Sequence, residues 1–171
     1  MKKYLTITFI TISCFIISGF KPMIQNSPVT DYISVPGPLT FEGEKYILKW
    51  SSHAQENHYK QEYVRANDKL EAFNKMIFIE ILLTDANAID LVNAKIKEIE
   101  SRKGKDHVAN YQVLDNKKTG EFLLDFLISE GDGDIIEWNA YRYKNIITPK
   151  GKGVMLFSYS FRSFEGAELS L

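Results

Sequence analysis

Cysteine is almost missing from this chain: Cys14 is the only one in 171 residues. A disulfide scaffold and any metal site built on cysteines are thereby excluded. Charge of one sign is missing too. The 21 Lys+Arg and 22 Asp+Glu leave a formal charge of −1, so no surplus of cations exists to release phosphate counterions. A dedicated nucleic-acid binder is excluded on that ground. No G-x-S-x-G elbow, phosphate-cradling glycine loop or H-E-x-x-H motif occurs, and the three histidines are scattered. Repeats and low-complexity tracts are lacking as well. What is present, 44% apolar and 13% aromatic residues, is too rich for a disordered chain and fits a single domain.

The first twenty residues stand apart. Met1-Lys2-Lys3-Tyr4 is a short basic start, and Leu5 to Phe20 carries no charge. That is the pattern of a secretory signal peptide, with cleavage expected after Gly19. A membrane anchor over residues 4–20 is the competing reading, but a span needs roughly 20 apolar residues and this one is diluted by Thr and Ser. A lipoprotein modified at Cys14 is the other. Ser13 suits it, whereas Thr11 and the apolar Phe15-Ile16-Ile17 do not. Removing residues 1–19 leaves 19 basic residues against 22 acidic, a charge of −3, and no cysteine. The mature chain is expected in the periplasm or outside the cell, without stable membrane insertion.

Four of the five prolines (Pro22, Pro28, Pro36, Pro38) lie between residues 22 and 38. Repeated fixing of φ and loss of backbone donors predict an extended leader over residues 20–38. A single domain is expected over residues 39–171, with a C-terminal end that could be truncated. Alternation predicts strands at Glu44–Trp50, with Tyr46, Leu48 and Trp50 on one face, and at Asn57–Arg65, with Ser51–Glu56 as a loop. Asp68-Lys69-Leu70-Glu71 has the form of a capping box opening a short helix. Ile77–Leu83 reads as a central strand with Glu80 as the anomaly: a carboxylate at the core edge with its head in water, or a buried one. The best helix runs from about 86 to 103. Asp85 stands as its N-cap, Ile89, Val92, Ile96 and Ile99 form one stripe, and Glu98 faces Arg102. Four strands follow, near Val108–Leu114, Glu121–Ser129, Ile135–Tyr143 and Val154–Phe161, and Phe164–Leu171 reads as a short C-terminal helix.

The fold class expected is α+β: a mostly antiparallel sheet of about six to seven strands, with one long helix packed on it. This order of elements over residues 39–171 resembles the PsbP-like fold. The resemblance implies helices on a central antiparallel sheet and an accessory role in a lumenal or periplasmic space.

Three constellations could carry chemistry. Glu130, Asp132 and Asp134 place carboxylates at alternate positions among glycines, as a calcium loop would, or simply as a hairpin turn. His53, Glu56 and His58, with His107 beyond the helix, have zinc-ligand chemistry only if they converge. Amphipathic aromatics are the third, and of these Tyr141 and Tyr143 share a face with Glu137 and Asn139, with Trp138 beside them. A mixed face of this kind is partly wet and suits binding. The expected function is therefore a non-catalytic exported binding or accessory protein without a cofactor. It would recognise a protein or a small ligand through a sheet face, as an immunity-type inhibitor does. The alternatives are a small hydrolase using Glu80, Glu130 or Asp132 with His58, and a calcium-binding protein.

Overall fold

In the computed structural model, residues 29–130 and 134–164 are described. The elements run β1 (Leu39–Phe41), β2 (Glu44–Gln55), β3 (His58–Arg65), β4 (Lys75–Leu83), α1 (Ala88–Arg102), β5 (Asn110–Asn116), β6 (Glu121–Glu130), β7 (Ile135–Thr148) and β8 (Gly151–Phe164). All eight strands form one antiparallel sheet in the order β1-β2-β3-β4-β8-β7-β6-β5. The chain therefore builds one half by hairpins and crosses through α1 to the far edge. It then returns by hairpins until β8 closes on β4. Gly153 sits in that closing pair, where a Cβ would collide with the Leu82 carbonyl oxygen. Only glycine lets the strands lie so close there.

The sheet overturns the expected fold class. Strand makes up 58% of the described residues and helix 11%, and the sheet curls into a half-barrel rather than lying under a long helix. Among the described residues there are eight strands, not six or seven, and one helix, which is 15 residues long and rests mainly on β5, β6 and β7. Asn87 caps it instead of Asp85: Asn87 and Asp90 form a reciprocal capping box, while Asp85 pairs with Lys152. Phe164, expected to open a second helix, is instead paired with Ile135 at the end of β8. Residues 165–171 lie outside the described residues. The short helix expected after Asp68 is a loop, because the Asp68 carboxylate accepts hydrogen bonds from the Arg65 guanidinium instead of capping backbone N–H groups. Its apolar residues, Leu70 and Phe73, pack with Val64 and Met76 over one end of the sheet.

Ser51–Glu56, expected as a loop, is mostly strand, since β2 continues to Gln55. A bulge between Leu48 and Trp50 also breaks the expected alternation. Tyr46 and Leu48 stay on one face, while Trp50 turns to the other, where the Lys60 ammonium stands 6.0 Å from its ring.

Two cores result, one on each face. On the helix face, Ala88, Val92 and Ile99 of α1 pack against Phe78, Leu124, Phe126, Tyr143, Val154 and Leu156. On the other face, Tyr46, Tyr63, Ile77, Ile79 and Tyr159 are covered by Ile33, Val35, Leu39 and Phe41. Residues 29–38 thus act as a strap across that face. The buried Gln61 carboxamide holds it, accepting from the Tyr32 N–H (2.6 Å) and donating to the Val35 carbonyl (3.2 Å). Tyr63 Oη donates to the same carbonyl at 2.6 Å. The folded body therefore begins by Asp31 rather than near Leu39. The expected signal peptide, with Cys14, lies outside the described residues.

Candidate functional site

Strand register assigns the helix face row by row. One row across the sheet carries Lys60, Glu80, Leu156 and Tyr143; the next carries Glu62, Phe78, Ser158 and Tyr141; a third carries His58, Leu82, Val154 and Asn145. Helix α1 covers the β5–β7 side of these rows and stops short of β3. Its N-terminus is tied down by the Asn145 side chain, which accepts from the Ala88 N–H at 2.8 Å. At its other end, Arg102 donates to the Ser129 carbonyl (2.6 Å) and lies 3.5 Å from Asp106.

Between α1 and the uncovered strands lies a groove of about 420 Å³. Leu91, Ala94, Lys95 and Glu98 form its helical wall; Phe78, Glu80, Leu82, Val154 and Leu156 form its floor, with Lys60 on the far side. Tyr141 and Tyr143 lie at the foot of the helix. The volume falls in the range of small-molecule sites, and the lining is the usual apolar surface with a few polar groups. Burial pushes both tyrosine hydroxyls well above their ordinary pKa, and the Glu80 and Glu98 carboxylates push in the same direction. They are neutral phenols. Tyr143 is 4% exposed, yet neither hydroxyl is hydrogen-bonded to any other described residue.

Four charged side chains line the groove. The Lys60 ammonium pairs with Glu62 at 2.7 Å and stands 4.5 Å above the Phe78 ring. The Lys95 ammonium pairs with Glu98 at 2.9 Å and stands 5.8 Å from the Tyr141 ring centre. Glu98 is thus engaged one turn back along the helix, and not with Arg102 as expected. Glu80 is bonded through one carboxylate oxygen to His58 Nε2 at 2.7 Å, with its head partly in water.

Of the five residues singled out for binding, the structure brings two together in the groove. Tyr141 and Tyr143 line it; Glu137 and Asn139 share their face but are committed elsewhere. Glu137 accepts two hydrogen bonds from Arg162 (2.9 and 2.6 Å), whose guanidinium lies 4.2 Å from the Phe73 ring. Asn139 is fully buried and accepts from Ser160 Oγ. Trp138 points to the strap face, donating to Asp125 at 2.6 Å and meeting Tyr159 edge-on. Of the calcium candidates, Glu130 and Asp134 are exposed and Asp132 falls outside the described residues. His53 is stacked on Tyr59 with centroids 4.2 Å apart, and His107 is exposed. Among the described residues, no three His, Cys, Asp or Glu side chains converge as metal ligands.

Sequence reasoning missed most of the groove: Lys60, Phe78, Leu82, Leu91, Ala94, Lys95, Glu98, Val154 and Leu156. One local signal was available. Leu91, Ala94, Lys95 and Glu98 follow each other at i, i+3, i+4 and i+7, which is a second face of α1 beside the apolar stripe.

A family model matches residues 33–169, and the chain belongs to that family, which is uncharacterised. No curated protein and no solved structure matches the chain. Among the described residues, no helix is long and apolar enough to cross a membrane.

Proposed function

We propose that this chain is an exported binding protein whose groove on the helix face holds a small amphipathic molecule. The observation that carries the reading is a pair of phenols, buried Tyr143 and half-buried Tyr141, that line the groove with hydroxyls bonded to no other described residue. Hydroxyls that reach the groove without a protein partner are left for water or a ligand to satisfy. Around those hydroxyls, Leu82, Leu91, Val154 and Leu156 offer apolar surface to the body of such a molecule. Export is supported by the basic start and the uncharged run from Leu5 to Phe20. An accessory role is what the resemblance to PsbP-like proteins would add.

Nile red, an uncharged apolar dye, tests the reading. Its emission is expected to rise along a single-site isotherm. Ala94→Trp, which fills the groove from the exposed side of α1, is expected to weaken binding by about tenfold or more with little change in unfolding midpoint. Dye binding that ignores the Trp would refute the groove as the site.

One observation favours a second reading, hydrolysis: His58 and Glu80 do meet. Glu130 does not join them. It pairs with Ile135, ten residues along β7 from the Asn145 row, which is roughly 30 Å away. This reading requires an ester probe such as p-nitrophenyl acetate to be cleaved faster than by buffer, and the excess to vanish in His58→Ala. Release at the buffer rate removes it.

A further inference from the structure

The charges around the groove do not cancel. Two carboxylates (Glu80, Glu98) and two ammonium groups (Lys60, Lys95) line it; Glu62, in the next row, adds a third carboxylate through its pair with Lys60, and His58 is bonded to Glu80 at one end. Each lysine is matched by one glutamate: Lys60 with Glu62, and Lys95 with Glu98. Glu80 is the carboxylate left over. Among the described residues its one hydrogen-bond partner is the His58 imidazole, through one oxygen; the second oxygen is bonded to none of them. Two strands along the same row, beyond Leu156, stands Tyr143, more than nine-tenths buried, its hydroxyl open to the groove and bonded to no other described residue.

The rings around Glu80 already accept cations. Lys60 places its ammonium over Phe78, and Lys95 places one near Phe126 and Tyr141. A desolvated ammonium over an aromatic face gains from the ring quadrupole, and an unmatched carboxylate beside it adds Coulomb attraction. An anion would gain from neither. It would have to displace Glu62 or Glu98 from its lysine and approach Glu80 against repulsion.

Building on the groove reading above, we infer that the molecule held there is a small organic cation. It is an amine with an aromatic or aliphatic body, its ammonium set between the free oxygen of Glu80 and the Tyr143 hydroxyl. The body lies on Leu82, Leu91 and Val154. The Tyr143 oxygen accepts a hydrogen bond from the ammonium, and its own proton remains available to a ligand acceptor or to water.

Three probes of nearly the same shape separate charge from bulk: 3-phenylpropylammonium, 3-phenylpropan-1-ol and 3-phenylpropionate, each competing with bound Nile red at neutral pH. The ammonium is expected to displace the dye at about tenfold lower concentration than the alcohol, with the carboxylate weakest of the three. Glu80→Gln keeps the shape of the side chain and is expected to bring ammonium and alcohol together while Nile red still binds. Glu98→Gln, on the exposed side of α1, is expected to narrow the same gap and serves if the first variant does not fold. Carboxylate or alcohol competing as well as ammonium would overturn the inference and leave the groove standing. A gap that neither variant changes would also overturn it, whereas absence of Nile red binding would take down the groove itself and the inference with it.

Discussion

Tyrosine is used differently on the two faces of the sheet. On the strap face, four buried tyrosines each have a hydrogen-bonded hydroxyl. Tyr46 donates to Glu44, Tyr59 to the Glu56 carbonyl, Tyr63 to the Val35 carbonyl, and Tyr159 to Glu42. On the helix face, Tyr141 and Tyr143 are packed edge-on or tilted against neighbouring rings, and their hydroxyls bond to no described residue. A phenol is an economical core residue only when its polar tip is satisfied. The strap face meets that condition within the chain, because residues 29–42 were laid over it. The helix face leaves it to be met from outside, since α1 covers only the β5–β7 side. The strap face is therefore read as stability and the helix face as a site.

The strap face should then break most severely where its polar anchor is removed. Gln61 is fully buried and serves the Tyr32 N–H, the Val35 carbonyl and the Tyr63 hydroxyl with one carboxamide. Gln61→Leu keeps the volume, strands the Tyr32 N–H and takes one hydrogen bond each from the Val35 carbonyl and the Tyr63 hydroxyl, so a loss of about 3 kcal/mol is expected. Urea denaturation measures it, and limited proteolysis should cut within residues 29–38 sooner than in the wild type. A loss under about 1 kcal/mol would show that apolar packing alone holds the strap.

On the helix face, structural polar contacts sit at the ends of α1. Burial raises the Asp106 carboxyl pKa, but hydrogen bonds from the Ser129 N–H and Oγ–H, the Val108 N–H and the Arg102 guanidinium outweigh it, so the pKa lies below the usual carboxylate value. The unfolded chain binds this proton more readily than the folded one. The contribution to stability is therefore complete above the unfolded pKa, near 3.9, and is lost as pH falls through the lower folded value. Asp106→Asn is expected to cost about 2 kcal/mol at neutral pH. The difference from the wild type should shrink as the solution is taken below about pH 4. A difference independent of pH would assign the effect to geometry instead of charge.

This contrast was only partly legible beforehand. Alternation placed Tyr141 and Tyr143 on one face with Glu137 and Asn139, because a period of two is a local property of an extended chain. The same period sets Trp138 on the opposite face, where it is found. The bulge at β2, which turns Trp50 over, has no comparable local signature. Nor has the strap, whose anchor Gln61 lies 26 residues beyond Val35. The groove was the least legible part. Its lining comes from β3, β4, α1, β7 and β8, brought together by the pairing of β4 with β8. That pairing joins Ile77 to Tyr159 across the whole α1–β7 excursion, and no local pattern reports it. The fold class failed for a related reason. The α1 stripe was visible, but the length of β7 and β8, at 14 residues each, depends on partners far along the chain.

The smallest expected effect discriminates best between the faces. Tyr63→Phe removes a hydroxyl that donates to Val35 and accepts from Gln61 Nε2 at 2.7 Å, in a fully buried setting. It is expected to cost about 1–2 kcal/mol, since the Val35 carbonyl loses the shorter of its two hydrogen bonds and the Gln61 amide loses one of its two acceptors. Tyr143→Phe removes a hydroxyl from a ring that is 4% exposed, nearly as deep, but breaks no bond to the described chain. Its stability should stay within about 0.5 kcal/mol of the wild type. Measured side by side by denaturant titration, the two variants separate the roles: the first unfolds earlier, and the second does not. Equal losses would mean that the Tyr143 hydroxyl finds a partner within the protein in solution, and the helix face would then be as closed as the strap face.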